Sequence, residues 1–223
     1  MADERLDSGE FWKRCIAETI DSGEPAKWRD SVFSSEKPLA MEFLGALAGG
    51  AEVLDFGCGL GRNALALAER GFDVYVCDVA DAGVRYCEER AAADDFTLRA
   101  VGYDGHEIEL PNRSVDGILA WSCLDHVTLD WARELAEELT RVARLGAHLL
   151  VSFDEDRSDD PDSEAEVLGD GTHRYFSGRR KGMLFRPYTN DEIRSLFETG
   201  WELLMWEGED ESVPRRALFR RVE

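Results

Sequence analysis

Glycine recurs at every second position in Asp55-Phe56-Gly57-Cys58-Gly59-Leu60-Gly61-Arg62-Asn63, directly after the apolar pair Val53-Leu54. This spacing suits a turn from a strand into a helix, because a residue without Cβ reaches left-handed backbone and lets a ligand lie against the main chain. Asp55 puts a carboxylate near the end of that strand. Downstream, Asp73-Val74-Tyr75-Val76-Cys77-Asp78 reads as a second strand that also ends in a carboxylate, followed by Val79. One carboxylate accepts from two neighbouring hydroxyls at once, as a ribose presents them. The chemistry on offer is the binding of a nucleoside cofactor.

The glycine spacing narrows the cofactor. A dinucleotide fingerprint, G-x-G-x-x-G, would place its third glycine at position 62, where Arg62 stands. Glycine falls at Gly61 instead, giving D-x-G-x-G-x-G. With Asp78 closing the next strand, this pattern resembles the class I S-adenosylmethionine-dependent methyltransferases, and its specific motifs lie between residues 51 and 127. The resemblance implies a Rossmann-like, doubly wound α/β fold whose mostly parallel seven-stranded sheet ends in a C-terminal antiparallel hairpin. It implies S-adenosyl-L-methionine as cofactor, wrapped by Gly57, Cys58, Gly59, Gly61 and Asn63. Asp55 would support the methionine end, and Asp78 with Val79 the ribose. Asp104 and Gly105, after the third strand, would meet the adenine. Trp121 and Ser122, after the fourth, would face the methyl donor.

His126 follows in Trp121-Ser122-Cys123-Leu124-Asp125-His126 and is the candidate general base; a capping or packing histidine is the alternative. No N-P-P-Y-like run is present, and Cys123 follows Ser122, not proline. The stretch Arg186-Pro187-Tyr188-Thr189-Asn190-Asp191-Glu192-Ile193, with Trp201-Glu202-Leu203-Leu204, resembles the tail of small-molecule methyltransferases related to the tellurite-resistance and thiopurine enzymes. Candidate acceptor contacts are Trp12, Trp28, Arg29, His173, Tyr175, Arg186 and Tyr188; aromatic residues at such places are more often core or lid packing. The function implied is methyl transfer to a small-molecule acceptor by in-line displacement. The alternatives are an RNA or protein methyltransferase using the Arg179-Arg180-Lys181 cluster, or a noncatalytic cofactor-binding module.

Positioning these residues takes alternating elements. Strands are expected near 52–56, 73–78, 97–101, 115–121 and 147–153, with helices near 61–70, 81–93 and 131–144. That rhythm calls for a parallel sheet covered on both faces, with the crevice at the strands' C-terminal ends. A helix near 10–22 carries Phe11, Trp12, Cys15, Ile16 and Ile20 at helical spacing. Another spans about 38–48, with proline at its start. Residues 1–37 are read as an N-terminal helical cap or lid and 38–223 as the methyltransferase domain, interrupted by an acidic loop at 154–171. Thr189-Asn190-Asp191-Glu192 reads as a capped helix start, and 201–206 with 217–222 as a terminal hairpin.

Composition bounds the rest. The chain has 223 residues, of which 43% are apolar, enough for one sizeable core. Net charge is −21, which works against nucleic acid and anionic membranes as partners. It fits a salt-rich cytoplasm or, equally, a GC-rich genome that favours arginine over lysine. The five cysteines are scattered without a C-x-x-C pair, so reduced thiols are expected rather than disulfides or zinc. The acidic loop lacks calcium-loop spacing, so no metal is expected. With neither a signal sequence nor a membrane span, the expected setting is cytoplasmic, as monomer or homodimer.

Overall fold

The computed structural model describes residues 2–23, 31–34, 37–155, 162–208, 210 and 214–223. Ten strands occur in chain order: β1 (Glu52–Phe56), β2 (Asp73–Cys77), β3 (Leu98–Ala100), β4 (Val115–Trp121), β5 (Ala143–Phe153), β6 (Ala165–Val167), β7 (His173–Tyr175), β8 (Leu184–Phe185), β9 (Trp201–Glu207) and β10 (Arg215–Arg221). Seven of them form one sheet in the order β3-β2-β1-β4-β5-β10-β9. The first five are parallel, and β10 runs antiparallel to both β5 and β9. Strand order reverses between β1 and β4, the place where such sheets open a crevice.

Strict alternation explains why both faces are covered. Leu54 and Phe56 of β1, Ile118 and Ala120 of β4, and Leu149 and Val151 of β5 enter one apolar cluster. Their neighbours Val53, Leu119 and Leu150 enter the cluster on the opposite face. A period of two sends successive side chains to opposite sides, so strands buried on both sides read as continuous apolar runs. The first face is covered by α5 (Leu129–Val142), through Trp131, Leu135, Leu139 and Val142, and by α6 (Asn190–Leu196), through Ile193. The second is covered by α2 (Pro38–Ala46), α3 (Arg62–Ala68) and α4 (Asp81–Ala93).

Local signals set the helix starts. Pro38 opens α2, Thr128 caps α5 by accepting from Trp131 N, and Thr189 with Glu192 forms a complete capping box on α6.

Three features differ from the sequence-based expectation. The first helix, α1, spans Ala2–Asp21, not 10–22, and packs against α4. β5 begins at Ala143 and carries a register shift opposite Val115–Gly117, so its first residues take the end of the expected helix. The region 154–171 is not simply a loop: β6 lies within it and pairs with β7, which pairs with β8 in a separate antiparallel sheet. Residues 156–161 of that region lie outside the described residues.

Leu119 sits fully buried at the centre of β4. Leu119→Ala should lower unfolding free energy by about 2–5 kcal/mol, through lost transfer energy and an unfilled cavity. Urea denaturation of the variant beside the parent measures this.

Candidate active site

The end of β2 holds the glycine turn. Gly57 N and Cys58 N both donate to Cys77 O, at 2.9 and 3.1 Å. Gly59 N donates to Asp78 Oδ2 and Ala80 N to Asp78 Oδ1, each at 2.9 Å. Gly57 has φ +70, and a Cβ there would stand 2.8 Å from Cys123 Cβ. No side chain fits between the turn and the segment after β4, and the backbone is left as the wall. Gly83 plays the matching part in α4, where a Cβ would meet Gly59 O at 2.5 Å.

The two strand-end carboxylates differ in environment. Asp78 stands in the cavity wall. Burial raises its pKa, while the N–H groups of Ala80, Gly59 and Val79 pull it down. Each oxygen has accepted one of the bonds above and has capacity for another. Asp55 is 2% exposed and lies outside the cavity wall. Burial pushes its carboxyl up to about 7, against the Ala64 N–H and the Arg62 charge. Its Oδ2 has no hydrogen-bond partner.

Beyond β4 the chain is tightly pinned. Ser122 takes φ +51, uncommon for a residue with a Cβ, and its N–H donates to Ser152 Oγ at 2.9 Å. The short 3₁₀ turn Leu124–His126 follows. Leu124 O accepts from Tyr188 Oη, Asp125 O from Arg186 N, and Asp125 Oδ2 from Asp154 N. His126 Nδ1 lies 3.1 Å from Leu184 O, and Ser8 Oγ of α1 donates to His126 O at 3.0 Å. A carbonyl oxygen only accepts, so Nδ1 carries the hydrogen and Nε2 is the basic nitrogen of the neutral ring. The Trp12 ring meets His126 edge-on at 4.7 Å, and Phe185 approaches it at 5.9 Å.

One cavity gathers much of the expected site: Gly57, Cys58, Gly59, Asn63, Asp78, Val79, Trp121, Ser122, His126 and Trp12 all line it. Gly61 instead packs beneath the turn, where a Cβ would touch Cys87 Sγ. Asp104 is exposed and spends Oδ1 on the N–H groups of His106 and Glu107; Gly105 O accepts from Trp131 Nε1 at 2.7 Å. Asn63 lines the cavity, but its Oδ1 accepts from Ser31 Oγ and Val32 N.

Of the other acceptor candidates, Tyr175 is buried with Phe11, Met183 and Phe185. His173 sits in β7 opposite Phe185. Arg186 is 3% exposed and ion-paired with Glu192. Tyr188 is buried and carries its main-chain oxygen to Arg215. None of these four lines the cavity. Trp28 and Arg29 lie outside the described residues. The sequence reading missed Ser8, Ile16, Phe56, Tyr103, Val127 and Trp131, which do line it. Tyr103 and Trp131 had a signal: an aromatic next to Asp104, and another just inside a capped helix.

Residues 53–146 match a family described as a methyltransferase domain. Hemagglutinin 1 of Eikenella corrodens is 30% identical over 156 residues, covering 70% of this chain; the chain spans 45% of the length of that curated relative. A Clostridium acetobutylicum structure described as an S-adenosylmethionine-dependent methyltransferase superposes with TM-score 0.71 at 12% identity, over 94% of this chain and 100% of that one. A Burkholderia thailandensis 1,6-didemethyltoxoflavin N1-methyltransferase, with its substrate and S-adenosylhomocysteine bound, superposes with TM-score 0.68 at 18% identity, over 96% and 88%. Both likenesses are of fold.

Two outcomes follow from this geometry. Asp55 is ionised above about pH 4 when unfolded but only above about 7 when folded. The folded state therefore holds the extra proton, and stability falls as pH rises through that window. Asp55→Asn should gain on the parent by about 1.4 kcal/mol per pH unit crossed, levelling above pH 7, whatever its constant offset. Denaturation curves at pH 5 and 8 read the difference. Gly83→Ala should destabilise the protein although alanine favours a helix by about 1 kcal/mol, because its Cβ presses on Gly59 O. A rise in melting temperature would contradict the contact.

Proposed function

We propose that this chain is a class I S-adenosylmethionine-dependent methyltransferase that transfers a methyl group to a small-molecule acceptor. The observation that supports this most is Asp78: it faces the cavity from the end of β2, with one backbone N–H on each oxygen and capacity left for a ribose. The cofactor supplies a methyl group activated on a sulfonium. The turn Gly57–Gly61 would hold its methionine end, with Asp55 buried behind the turn. Phe56, Tyr103 and Trp131 offer an apolar slot for the base; exposed Asp104 contributes less than the sequence suggested.

Aligning two reactants is worth up to about 7–11 kcal/mol, so holding donor and acceptor in one closed cleft supplies most of what such a displacement needs. Residues 1–37 act as the cap in this reading, supported by the Ser8–His126 bond and by Trp12 and Ile16 in the wall. A macromolecular acceptor fits less well, since Arg180 is stacked on Tyr175 and bonded to its hydroxyl. Five free thiols support a cytoplasmic setting, as monomer or homodimer. Among the described residues, no helix is long and apolar enough to cross a membrane.

Titration calorimetry with S-adenosylhomocysteine tests the reading. The protein should bind it, and Asp78→Ala should weaken binding at least about tenfold, the loss of one charge-assisted contact. Absence of binding, or equal affinity in the variant, overturns it.

A further inference from the structure

The cavity wall divides by chemistry. Its carboxylate, its guanidinium and its amide, from Asp78, Arg62 and Asn63, belong to the glycine turn and the end of β2. Among the described lining residues, those from α1 and from 121–135 include no Asp, Glu, Lys or Arg. In a chain of net charge −21 with 73 charged side chains, a charge-free wall is a selective feature. What it offers is surface from Trp12, Ile16, Trp121 and Val127, plus one imidazole.

Its polar groups are mostly spent. Ser8 Oγ donates to His126 O, and Ser122 Oγ stands 3.2 Å from Ser152 Oγ. Burial raises the Cys123 thiol well above its ordinary range, so it stays neutral. His126 differs. Its Nδ1–H is held by Leu184 O, its ring is flanked by Trp12 and Phe185, and Nε2 has no partner among the described residues. Any ligand group meeting Nε2 of the neutral ring must bring a hydrogen.

Resting on the methyl-transfer reading above, we infer that the acceptor is an uncharged, flat aromatic molecule bearing one ionisable O–H or N–H, seated against Trp12 with that hydrogen on His126 Nε2. A carboxylate or phosphate would find no cation among the described lining residues on this side, and an aliphatic body would forgo the ring-to-ring contacts. In the transfer, the acceptor oxygen or nitrogen forms the bond to the methyl carbon as the carbon–sulfur bond breaks. The sulfur keeps the electron pair, and the acceptor's proton passes to Nε2, leaving a neutral product and an imidazolium.

Binding to protein saturated with S-adenosylhomocysteine tests this without turnover, using 2-naphthol, 2-methoxynaphthalene, decahydro-2-naphthol, 2-naphthoate and a naphthyltrimethylammonium salt as probes. 2-Naphthol should bind at least about fivefold tighter than each of the others, the methoxy ether measuring the hydrogen bond alone. Trp12→Ala should weaken 2-naphthol about tenfold and leave S-adenosylhomocysteine within twofold. His126→Phe keeps a ring against Trp12 and Phe185; in it, 2-naphthol and 2-methoxynaphthalene should bind equally. Tighter binding of the saturated, anionic or cationic probe overturns the inference, as does a naphthol preference that survives in His126→Phe. Failure to bind S-adenosylhomocysteine would instead sink the methyl-transfer reading beneath it.

Discussion

Two backbone N–H groups converge on the carbonyl oxygen of Cys77, and the next residue's carboxylate takes a third and a fourth. Through these bonds the end of β2 dictates the path of the chain leaving β1. Everything nearby is fitted to that path at van der Waals distance: Cys123 against Gly57, Cys87 against Gly61, and α4 against Gly59 through Gly83. Closely packed interiors transmit small shifts instead of absorbing them, so the turn, the start of α4 and the segment after β4 act as one rigid body. Asp55 is the cost of this arrangement. Its Oδ2 is buried without a partner, and burial pushes its carboxyl up to about 7.

The segment Leu124–Leu129 is a second point of convergence. Its backbone and side chains are tied to α1 through Ser8, to β8 through Leu184, to Asp154 at the end of β5, and to Tyr188 and Arg186 ahead of α6. Leu129 N adds a bond to Asp170 Oδ2. Buried polar groups favour a unique arrangement when satisfied and are costly when not. Here Asp125, fully buried with one oxygen unpartnered, accepts that cost at the residue next to the imidazole.

The sheet, its two covered faces and the glycine turn were legible because each rests on a local pattern: continuous apolar runs, glycine at fixed spacing, a carboxylate closing a strand. The opposite wall of the cavity was not, because it is made by tertiary contact. The helix was expected to begin near residue 10, yet α1 runs through Ser8 and Gly9 and places both in the cavity wall. Arg186 and Tyr188 carry the side chains of a binding site, yet burial and the bonds to Glu192 and Leu124 make them supports for the segment that bears His126. Acidic composition in 154–171 hid β6, whose three residues are all exposed and whose pairing with β7 adds the Arg174–Glu166 ion pair to the backbone bonds. Asp104 sits where the motif expects it, but an Asp-Gly turn closes on itself when neighbouring N–H groups are nearer than any ligand.

Phe11 of α1 packs with Tyr175, Met183 and Phe185, and Arg14 reaches Lys181 O at 2.9 Å. Segments more than 150 positions apart in the sequence thus share one small core that the large sheet does not enter. Neither is a free module. Changes in one must be answered in the other, and on the α1 side they also bear on the glycine turn, where Ile16 packs with Leu60 and Ala80. Two stretches remote in sequence are therefore bound to drift together, and the first of them carries its changes on to the end of β2 through Ile16.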